Sequence, residues 1–341
     1  MLYDNGIEPS LPPFDFDSKS SNVERGKLIR PSPLSRPNFF IVGFPKCGTT
    51  TLYENLRQHP DIFMPWDPDN FWITKEPNFF DQDIQIDRQF SLKSNADYLA
   101  LFQGVTDETC IGESSTFYIY SEEAPKRIYE MNPAAKIIIM LRNPIDMIVS
   151  WHFDCYRWGH ENILDFKKAL EAEADRKLGK RIPKRCYYPE LLQYRSMGKY
   201  AKHIKRYLDV FGSDQVKIVL LHDLKNEPQK LFGELTRYLA VDSNFTPDRK
   251  NHNASIKLSR VHPFSLSFWE RFGQMQSRLS WVPESAWNFA GKLFHKTFLL
   301  FGTVQKTSIQ PELRAQLIDY YQEDIREVEA LIGRDLSAWR L

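Results

Sequence analysis

The sequence predicts an α/β fold with an open, mostly parallel sheet flanked by helices. Two continuous apolar segments, 136–141 and 216–221, have the length and composition of strands that are buried on both faces. A helical pattern follows each of them, at 144–156 and at 228–239. Because strands that alternate with helices are typical of parallel sheets, we expect both segments to lie in one sheet.

Shorter patterns complete the predicted architecture. They indicate a helix over 95–102, a short edge strand over 108–113, a helix over 121–131 and an amphipathic helix over 310–332. The polar residues 1–37, rich in proline and serine, are predicted to be an N-terminal extension. Residues 38–341 are then expected to form a single domain.

Composition excludes several classes of protein. The 341 residues are 42% hydrophobic and carry 45 basic and 44 acidic side chains, a balance that gives no sign of a nucleic-acid partner. The four cysteines are widely spaced, which argues against a metal site or a disulfide framework and fits a reducing compartment. No apolar run approaches the roughly 20 residues that span a bilayer, and none resembles a signal peptide. We therefore expect a cytoplasmic protein without a transmembrane segment.

Residues 261–308 are an aromatic-rich segment whose large side chains recur at near-helical spacing. Core packing is the commonest explanation of such a pattern. Three alternatives stay open: a cap over a ligand pocket, a contact with a second subunit in a homodimer, or contact with a membrane surface. The last residues, 309–341, are predicted to form a helix that seals the sheet.

A short stretch near the N-terminus has the order of a phosphate-binding loop. An apolar, β-prone segment, 38–43, leads into a turn that holds Lys46, and three threonines then open a helix. The first N–H groups of a helix are unpaired and its dipole favours an anion, so strand, loop and helix together form a cradle for phosphate. The alternative is a tight turn with a solvated lysine.

A second cationic residue, Arg142, directly follows the predicted strand 136–141. Ligands of open parallel sheets lie beyond the carboxyl ends of the strands, so Arg142 and Lys46 are expected to converge on one anion. Asn143 is a suitable N-cap and Pro144 a suitable first residue for the helix that follows. The alternative for Arg142 is a surface charge beside that helix.

The loop departs from the Walker A pattern of NTPases, G-x-x-x-x-G-K-[ST]. Gly43 and Gly48 have the right spacing, but Thr49 stands where the lysine belongs and Lys46 lies inside the loop. Neither buried strand ends in an aspartate suited to hold Mg²⁺, and Asp223 is left as an unsupported candidate. We therefore predict a phosphate site without a metal, and keep a nucleotide kinase or NTPase as the alternative.

Taken together, the motifs resemble the sulfotransferases that use 3′-phosphoadenosine 5′-phosphosulfate (PAPS), in particular the heparan-sulfate-type and bacterial branch. Residues 45–52, PKCGTTTL, resemble the 5′-phosphosulfate loop, and 141–144, LRNP, with Ser150 downstream resemble the 3′-phosphate motif. Residues 75–81, KEPNFFD, and the tail 331–339 are similar to further motifs of that branch. The resemblance implies the P-loop sulfotransferase fold, PAPS as the donor and 3′-phosphoadenosine 5′-phosphate (PAP) as the product.

The resemblance also implies roles for individual residues. Lys46 would neutralise the leaving 5′-phosphate, and Arg142 and Ser150 would hold the 3′-phosphate. The remaining donors to the 5′-phosphate would be Cys47, Gly48, Thr49, Thr50 and Thr51. A basic segment with Lys257, Ser259 and Arg260 resembles the loop that closes over the nucleotide, although a solvated loop is almost as good an explanation.

Glu76 is the residue predicted to act as general base toward the acceptor. Its alternative is a simple ion pair with Lys75 on a surface loop. His152 is a rival base, although a histidine in that position is more often a packing residue. The predicted acceptor-binding residues are Lys75, Phe79, Phe80, His152 and Tyr187. The basic run 176–185 is interpreted as a solvated loop; the alternatives are attraction of an acidic acceptor and a cover over the nucleotide phosphates.

Two departures from the heparan-type pattern bear on the acceptor. Asn78 stands where those enzymes carry histidine, and Ser114 follows Glu113 where they often carry lysine. Basic groups that would meet a highly sulfated glycan are thus missing. We predict a small-molecule acceptor with a hydroxyl or amine, such as a natural product or toxin. A glycan sulfotransferase and a non-catalytic nucleotide-binding protein are the alternatives.

Overall fold

The computed structural model describes residues 35–68, 70–84, 92, 94–184, 186, 188–248 and 309–341. All of these belong to one compact unit of the chain. The aromatic-rich segment and most of the predicted N-terminal extension lie outside the described residues, so the predicted domain boundaries stay a prediction. Four residues of the predicted site also lie outside them: Tyr187, Lys257, Ser259 and Arg260.

The predicted parallel sheet is confirmed, with five strands in the described part of the chain. These are β1 (Phe39–Gly43), β2 (Ile62–Phe63), β3 (Cys110–Ser114), β4 (Lys136–Leu141) and β5 (Val216–Leu220). Their order is β2-β3-β1-β4-β5, and every neighbouring pair is parallel. Phe39 at the start of β1 lies opposite Gly112 of β3 and Lys136 of β4. The sheet is the centre of the core, because β1 is fully buried along its whole length.

Helices flank the sheet. They are α1 (Thr49–Leu56), α2 (Phe71–Lys75), α3 (Asn95–Ala100), α4 (Ala124–Met131), α5 (Pro144–Trp158), α6 (Phe166–Glu171), α7 (Glu173–Lys177), α8 (Tyr194–Met197), α9 (Ala201–Phe211), α10 (Leu221–Asn226), α11 (Pro228–Leu239) and α12 (Pro311–Ile332). Short 3₁₀ helices occupy Thr116–Ile119, Pro189–Leu192 and Ser337–Arg340. None of these helices is both long enough and apolar enough to cross a bilayer.

Several predicted boundaries coincide with the observed ones. The strand β4 and the helix α11 have the predicted ranges. The predicted start of α5 is also confirmed: Asn143 caps the helix, its side-chain oxygen accepting the N–H of Ile145 at 3.0 Å, and Pro144 is the first helical residue.

The prediction of β3 as an edge strand is wrong. β3 lies between β2 and β1, and all five of its residues are buried. The true edge strand beside it, β2, has only two residues, which is too short to produce a periodic pattern in the sequence. The consequence is functional, because an interior position brings the carboxyl end of β3 next to that of β1.

Candidate active site

The candidate site lies at one edge of the sheet, where three adjacent strands end. β3, β1 and β4 are neighbours and parallel, so their carboxyl ends lie side by side. Thr116 follows β3, the predicted phosphate loop follows β1, and Arg142 follows β4. The Arg142 Nη1 atom donates to the carbonyl of Lys46 at 3.3 Å, which joins the second and third of these parts directly.

Two glycines give the loop its shape. A Cβ atom on Gly43 would come within 2.9 Å of the Met140 backbone nitrogen, so only glycine allows β1 and β4 to approach this closely. Gly48, at the start of α1, has φ 94°, a left-handed conformation that other residues rarely adopt. Lys46 also has a positive φ, 65°. The loop is therefore a tight, specifically built turn.

Backbone N–H groups of this turn are available to a ligand. Those of Lys46, Gly48, Thr49, Thr50 and Thr51 donate to no backbone carbonyl within the described residues. The first regular helical bond runs from the Leu52 N–H to the Gly48 carbonyl, at 3.1 Å. Such a cluster of unpaired donors at a helix start suits a phosphate.

Cys47 does not share in this donor surface, contrary to its predicted role. Its backbone N–H donates to the Phe44 carbonyl at 3.3 Å, and its side chain is fully buried. Burial raises the pKa of the Cys47 thiol to about 12, so the side chain stays neutral and packs as an apolar group.

The lysine of the loop is held by a carboxylate that was not predicted. Lys46 Nζ lies 2.7 Å from Oδ2 of Asp154, and the Lys46 side chain is 35% exposed. Asp154 also pairs with Arg157 at 3.3 Å. Ser150 is partly exposed on the same helix, one turn before Asp154. Lys46 is thus paired with α5, the helix that also carries Ser150.

Glu76 ends α2, a helix that sequence reasoning did not find. Its Oε1 lies 2.5 Å from Lys75 Nζ, and its Oε2 accepts the Thr116 hydroxyl at 2.9 Å. The Glu76 side chain is 17% exposed, whereas that of Lys75 is completely buried. The pair is therefore not the surface ion pair of the alternative interpretation. Glu76 is fixed at both oxygens, yet it keeps access to the surface.

Three predicted acceptor-binding residues are instead part of the core. The Lys75 ammonium is buried on Glu76 and is not available to an acceptor. Phe79 stacks on Tyr98 with ring centroids 4.3 Å apart, and the Phe80 ring meets Phe40 edge-on at 5.8 Å. Both phenylalanines are at most 4% exposed. The alternation of exposed and buried positions in this irregular segment cannot be read from periodicity, which explains the error.

His152 is a packing residue, as its alternative interpretation held. It is buried between Phe166 and Tyr194, and its Nε2 lies 2.8 Å from the Ile163 carbonyl oxygen. Burial lowers the pKa of the imidazole, which keeps it neutral. These contacts occupy the ring and leave it without the freedom of a general base.

The basic run 176–185 is only partly a solvated loop. Arg176 is buried and forms an ion pair with buried Glu161 at 2.7 Å. Arg181 is exposed and lies 3.4 Å from Asp175. The first residue of the run thus stabilises the fold, whereas its later, exposed members match the solvated interpretation.

A buried acidic pair lies behind Glu76 and was also missed. Glu113 is completely buried and accepts hydroxyl hydrogens from Ser115, Tyr98 and Tyr118. Burial raises its pKa to about 8, and raises that of buried Asp81 to about 7. The run of hydroxyl residues at the end of β3, 114–116, is the one sequence signal that could have pointed to this network.

Comparison with known proteins agrees with this arrangement. The sequence model of the sulfotransferase domain matches residues 36–270. Bifunctional heparan sulfate N-deacetylase/N-sulfotransferase 4 of Mus musculus is 30% identical over 219 residues, which are 61% of this chain and 23% of that protein. Its human relative, N-deacetylase/N-sulfotransferase 3, is 31% identical over 213 residues, 60% of this chain and 22% of that protein. The chain thus spans less than a quarter of the length of these relatives.

A solved structure covers more of the chain. The crystal structure of a sulfotransferase from Alicyclobacillus acidocaldarius is 30% identical and superposes with a TM-score of 0.64, over 90% of this chain and all of that one. The likeness supports the sheet and helices described above and disfavours the alternative of a nucleotide kinase or NTPase. Since the domain match spans well over half of the sequence, the chain belongs to the family of PAPS-dependent sulfotransferases.

Proposed function

We propose that the protein transfers a sulfuryl group from PAPS to a hydroxyl or amine of a small-molecule acceptor. The observation that carries this proposal is that two different groups lie at the ends of the adjacent strands β1 and β3, the second of them held by Thr116, just after β3. One is a cationic loop with unpaired N–H groups and Lys46. The other is the fixed, partly exposed carboxylate of Glu76.

PAPS fits the cationic loop and its neighbour Arg142 because it carries two phosphate groups. The 5′-phosphate would lie on the free N–H groups and on Lys46, and the 3′-phosphate would bind Arg142 and Ser150. The proposal is supported by the hydrogen bond from Arg142 Nη1 to the Lys46 carbonyl, which joins these two residues directly. Guanidinium groups bind phosphate through paired hydrogen bonds, which suits Arg142 to this task. That no metal is required stays a prediction.

The chemistry follows from these assignments. The bond between sulfur and the bridging oxygen of the 5′-phosphate breaks, and its electron pair stays on the phosphate as PAP leaves. Lys46 and the loop N–H groups stabilise the negative charge that develops there. The acceptor oxygen or nitrogen forms the new bond to sulfur and gives its proton to Glu76. Transfer of this type has a loose transition state, so positioning and charge stabilisation supply most of the catalysis.

The surroundings of Glu76 favour a neutral acceptor. Glu76 is paired with Lys75, and burial favours the neutral forms of Asp81 and Glu113, so these four residues present no net positive charge to an acceptor. Asn78 and Ser114 bring no charge at the positions where heparan-type enzymes have basic residues. A polyanionic glycan would meet little attraction here. A small neutral molecule, such as a natural product or toxin, fits better. A cytoplasmic location and a homodimer stay predictions.

The second candidate function is sulfation of a glycan amine. It is favoured by the two relatives described above, which are heparan sulfate N-deacetylase/N-sulfotransferases. Because the chain matches less than a quarter of those proteins, the substrate of the whole relative does not transfer to this chain by similarity alone.

Incubation with sulfur-labelled PAPS distinguishes the candidates. The acceptors are a panel of neutral alcohols, phenols and amines, together with N-deacetylated heparosan, and Lys46→Ala serves as the inactive control. We expect label on a small acceptor and none on the polysaccharide. Label on the polysaccharide alone would favour the second candidate. PAP binding by calorimetry without transfer to any acceptor would contradict both and indicate a non-catalytic nucleotide-binding protein.

A further inference from the structure

We infer that Glu113 is a positioning residue for the general base: acting through Ser115 and Tyr118, it fixes the backbone that follows Glu76. The inference rests on the proposed role of Glu76. Glu113 itself lies on β3, is completely buried and has no route to the acceptor. Its effect on the reaction must therefore pass through the groups that it contacts.

Glu113 accepts hydrogen bonds from three hydroxyl groups. Ser115 Oγ donates to its Oε1 at 2.6 Å, while the hydroxyls of Tyr98 and Tyr118 donate to its Oε2 at 2.9 and 3.2 Å. On their other side Ser115 and Tyr118 meet backbone N–H groups, which can only donate, so the hydrogens of both hydroxyls point to Glu113. Each of these hydroxyls has a single hydrogen, and that hydrogen is committed to Glu113. The lone pairs of the Ser115 and Tyr118 oxygens can therefore accept hydrogen bonds from other donors.

Those donors are three consecutive backbone N–H groups just beyond Glu76. Ser115 Oγ accepts the N–H of Asn78 at 3.2 Å. The Tyr118 hydroxyl accepts the N–H of Phe79 at 2.9 Å and that of Phe80 at 3.3 Å. One buried carboxyl group therefore orients two hydroxyls, and the two hydroxyls hold a whole turn of backbone.

The held turn is one that the chain does not adopt readily. Asn78 has φ 46°, a left-handed conformation that is uncommon for residues other than glycine, although asparagine adopts it more readily than most. Thr116, which follows Ser115, donates to Glu76 itself at 2.9 Å. Residues 115–118 link Glu113 to the backbone of residues 78–80, and Thr116 in the same segment also holds the Glu76 carboxylate. A shift of this segment would move Glu76 relative to the acceptor.

The principal test replaces Glu113 with glutamine. Glu113→Gln keeps the size of the side chain but introduces an NH₂ group that opposes a hydroxyl hydrogen. Tyr118→Phe removes one hydroxyl and leaves Glu113 in place. Tyr194→Phe is the matched control, since the hydroxyl of buried Tyr194 donates to another buried carboxylate, Glu161, at 2.8 Å.

The readouts are hydrogen exchange of the peptide that covers 78–80, PAP affinity and kcat. In Glu113→Gln and Tyr118→Phe we expect exchange to accelerate about three- to tenfold, as for loss of an intramolecular hydrogen bond. We expect kcat to fall about 10- to 100-fold, because a slightly misplaced catalytic group is costly. The KM for PAPS and the PAP affinity should stay within about twofold. Tyr194→Phe should change neither the exchange nor kcat.

Each result bears on the inference. Unchanged exchange at 78–80 in both variants would overturn it. Faster exchange with full turnover would also overturn it, because Glu113 would then support the fold without positioning the base. If Glu113→Gln does not fold, Tyr118→Phe is judged by the same criteria. Glu76→Gln is measured in parallel: full activity in that variant would remove the proposed base, whereas the exchange data would still report on the Glu113 network.

Discussion

The two halves of the site are built in opposite ways. The half proposed to bind phosphate, made of the loop after β1 with Arg142 and Ser150 and called here the phosphate half, presents backbone N–H groups and the partly exposed Lys46. The base half, around Glu76, is supported by buried acids and hydroxyls. Anion binding comes with the start of a helix and requires little burial. A fixed carboxylate requires a side-chain network, and this network must be buried to hold its geometry.

The two halves differ in the exposure of the lysine that each contains. Lys46 and Lys75 each pair with a carboxylate, at 2.7 and 2.5 Å. Lys46 is 35% exposed, whereas Lys75 is completely buried. We therefore propose that the first ion pair opens to let Lys46 bind a phosphate, while the second supports the fold.

If the two halves act separately, loss of the general base should lower turnover strongly and leave nucleotide binding unchanged. Glu76→Gln is expected to lower kcat by about 10²- to 10⁴-fold, the usual contribution of general base catalysis. PAP affinity should be nearly unchanged, because Glu76 belongs to the other half. Steady-state kinetics and calorimetry measure the two quantities. A large loss of PAP affinity in Glu76→Gln would mean that the halves are not separate.

Removal of a cation from the phosphate half should do the reverse. Lys46→Ala and Arg142→Ala each lose a charge-assisted contact of about 1.5–3 kcal/mol, so PAP affinity should fall about 10- to 100-fold. The exposed residues Lys202 and Arg237 provide matched controls, as Lys202→Ala and Arg237→Ala. Unchanged PAP affinity in both test variants would contradict the assignment of the loop.

The buried acids of the base half should make stability depend on pH. Burial raises the pKa of Asp81 from 3.8 to about 7, so the folded protein keeps a proton that the unfolded chain releases between about pH 4 and about pH 7. The free energy of unfolding should therefore fall as the pH rises through this range, by about 1.4 kcal/mol per pH unit for one such group. Asp81→Asn should lose that part of the slope and gain stability over the wild type at alkaline pH. Urea unfolding at several pH values tests this, and parallel profiles would refute it.

The smallest effect is expected at Asp154, which competes with the ligand for Lys46. Pairs with this degree of exposure contribute about 1 kcal/mol or less. Asp154→Asn should thus tighten PAP binding by up to about fivefold. Calorimetry at constant ionic strength is the measurement. Weaker binding would show that Asp154 orients Lys46 for the phosphate instead of withholding it.

The same division explains what could be predicted from the sequence. The phosphate half depends on the local order of strand, glycine turn and helix start, so Lys46, Gly48 and the threonines could be recognised from adjacent residues. Arg142 followed from its place at the end of a long apolar strand. Even α9 carries a helical pattern, with Ile204, Tyr207 and Phe211 buried at turn spacing, that sequence reasoning could have used.

The base half could not be predicted in this way. Its contacts join residues far apart in the chain, such as Thr116 with Glu76 and Tyr118 with Phe79. They depend on the register of β3 and on an irregular segment in which no periodicity tells which side chains face inward. For that reason Lys75 and the two phenylalanines were assigned to the wrong environment, while the role of Glu76 stays a prediction.

The parallel order of the strands also has a consequence for folding kinetics. Arg142 contacts the Lys46 carbonyl across 96 residues of chain, and that contact requires β4 to be paired with β1. Pairings of this kind between distant segments form slowly. We therefore expect PAP to bind only after the slow step of refolding, so that a fluorescent PAP analogue would report the completion of the sheet in real time.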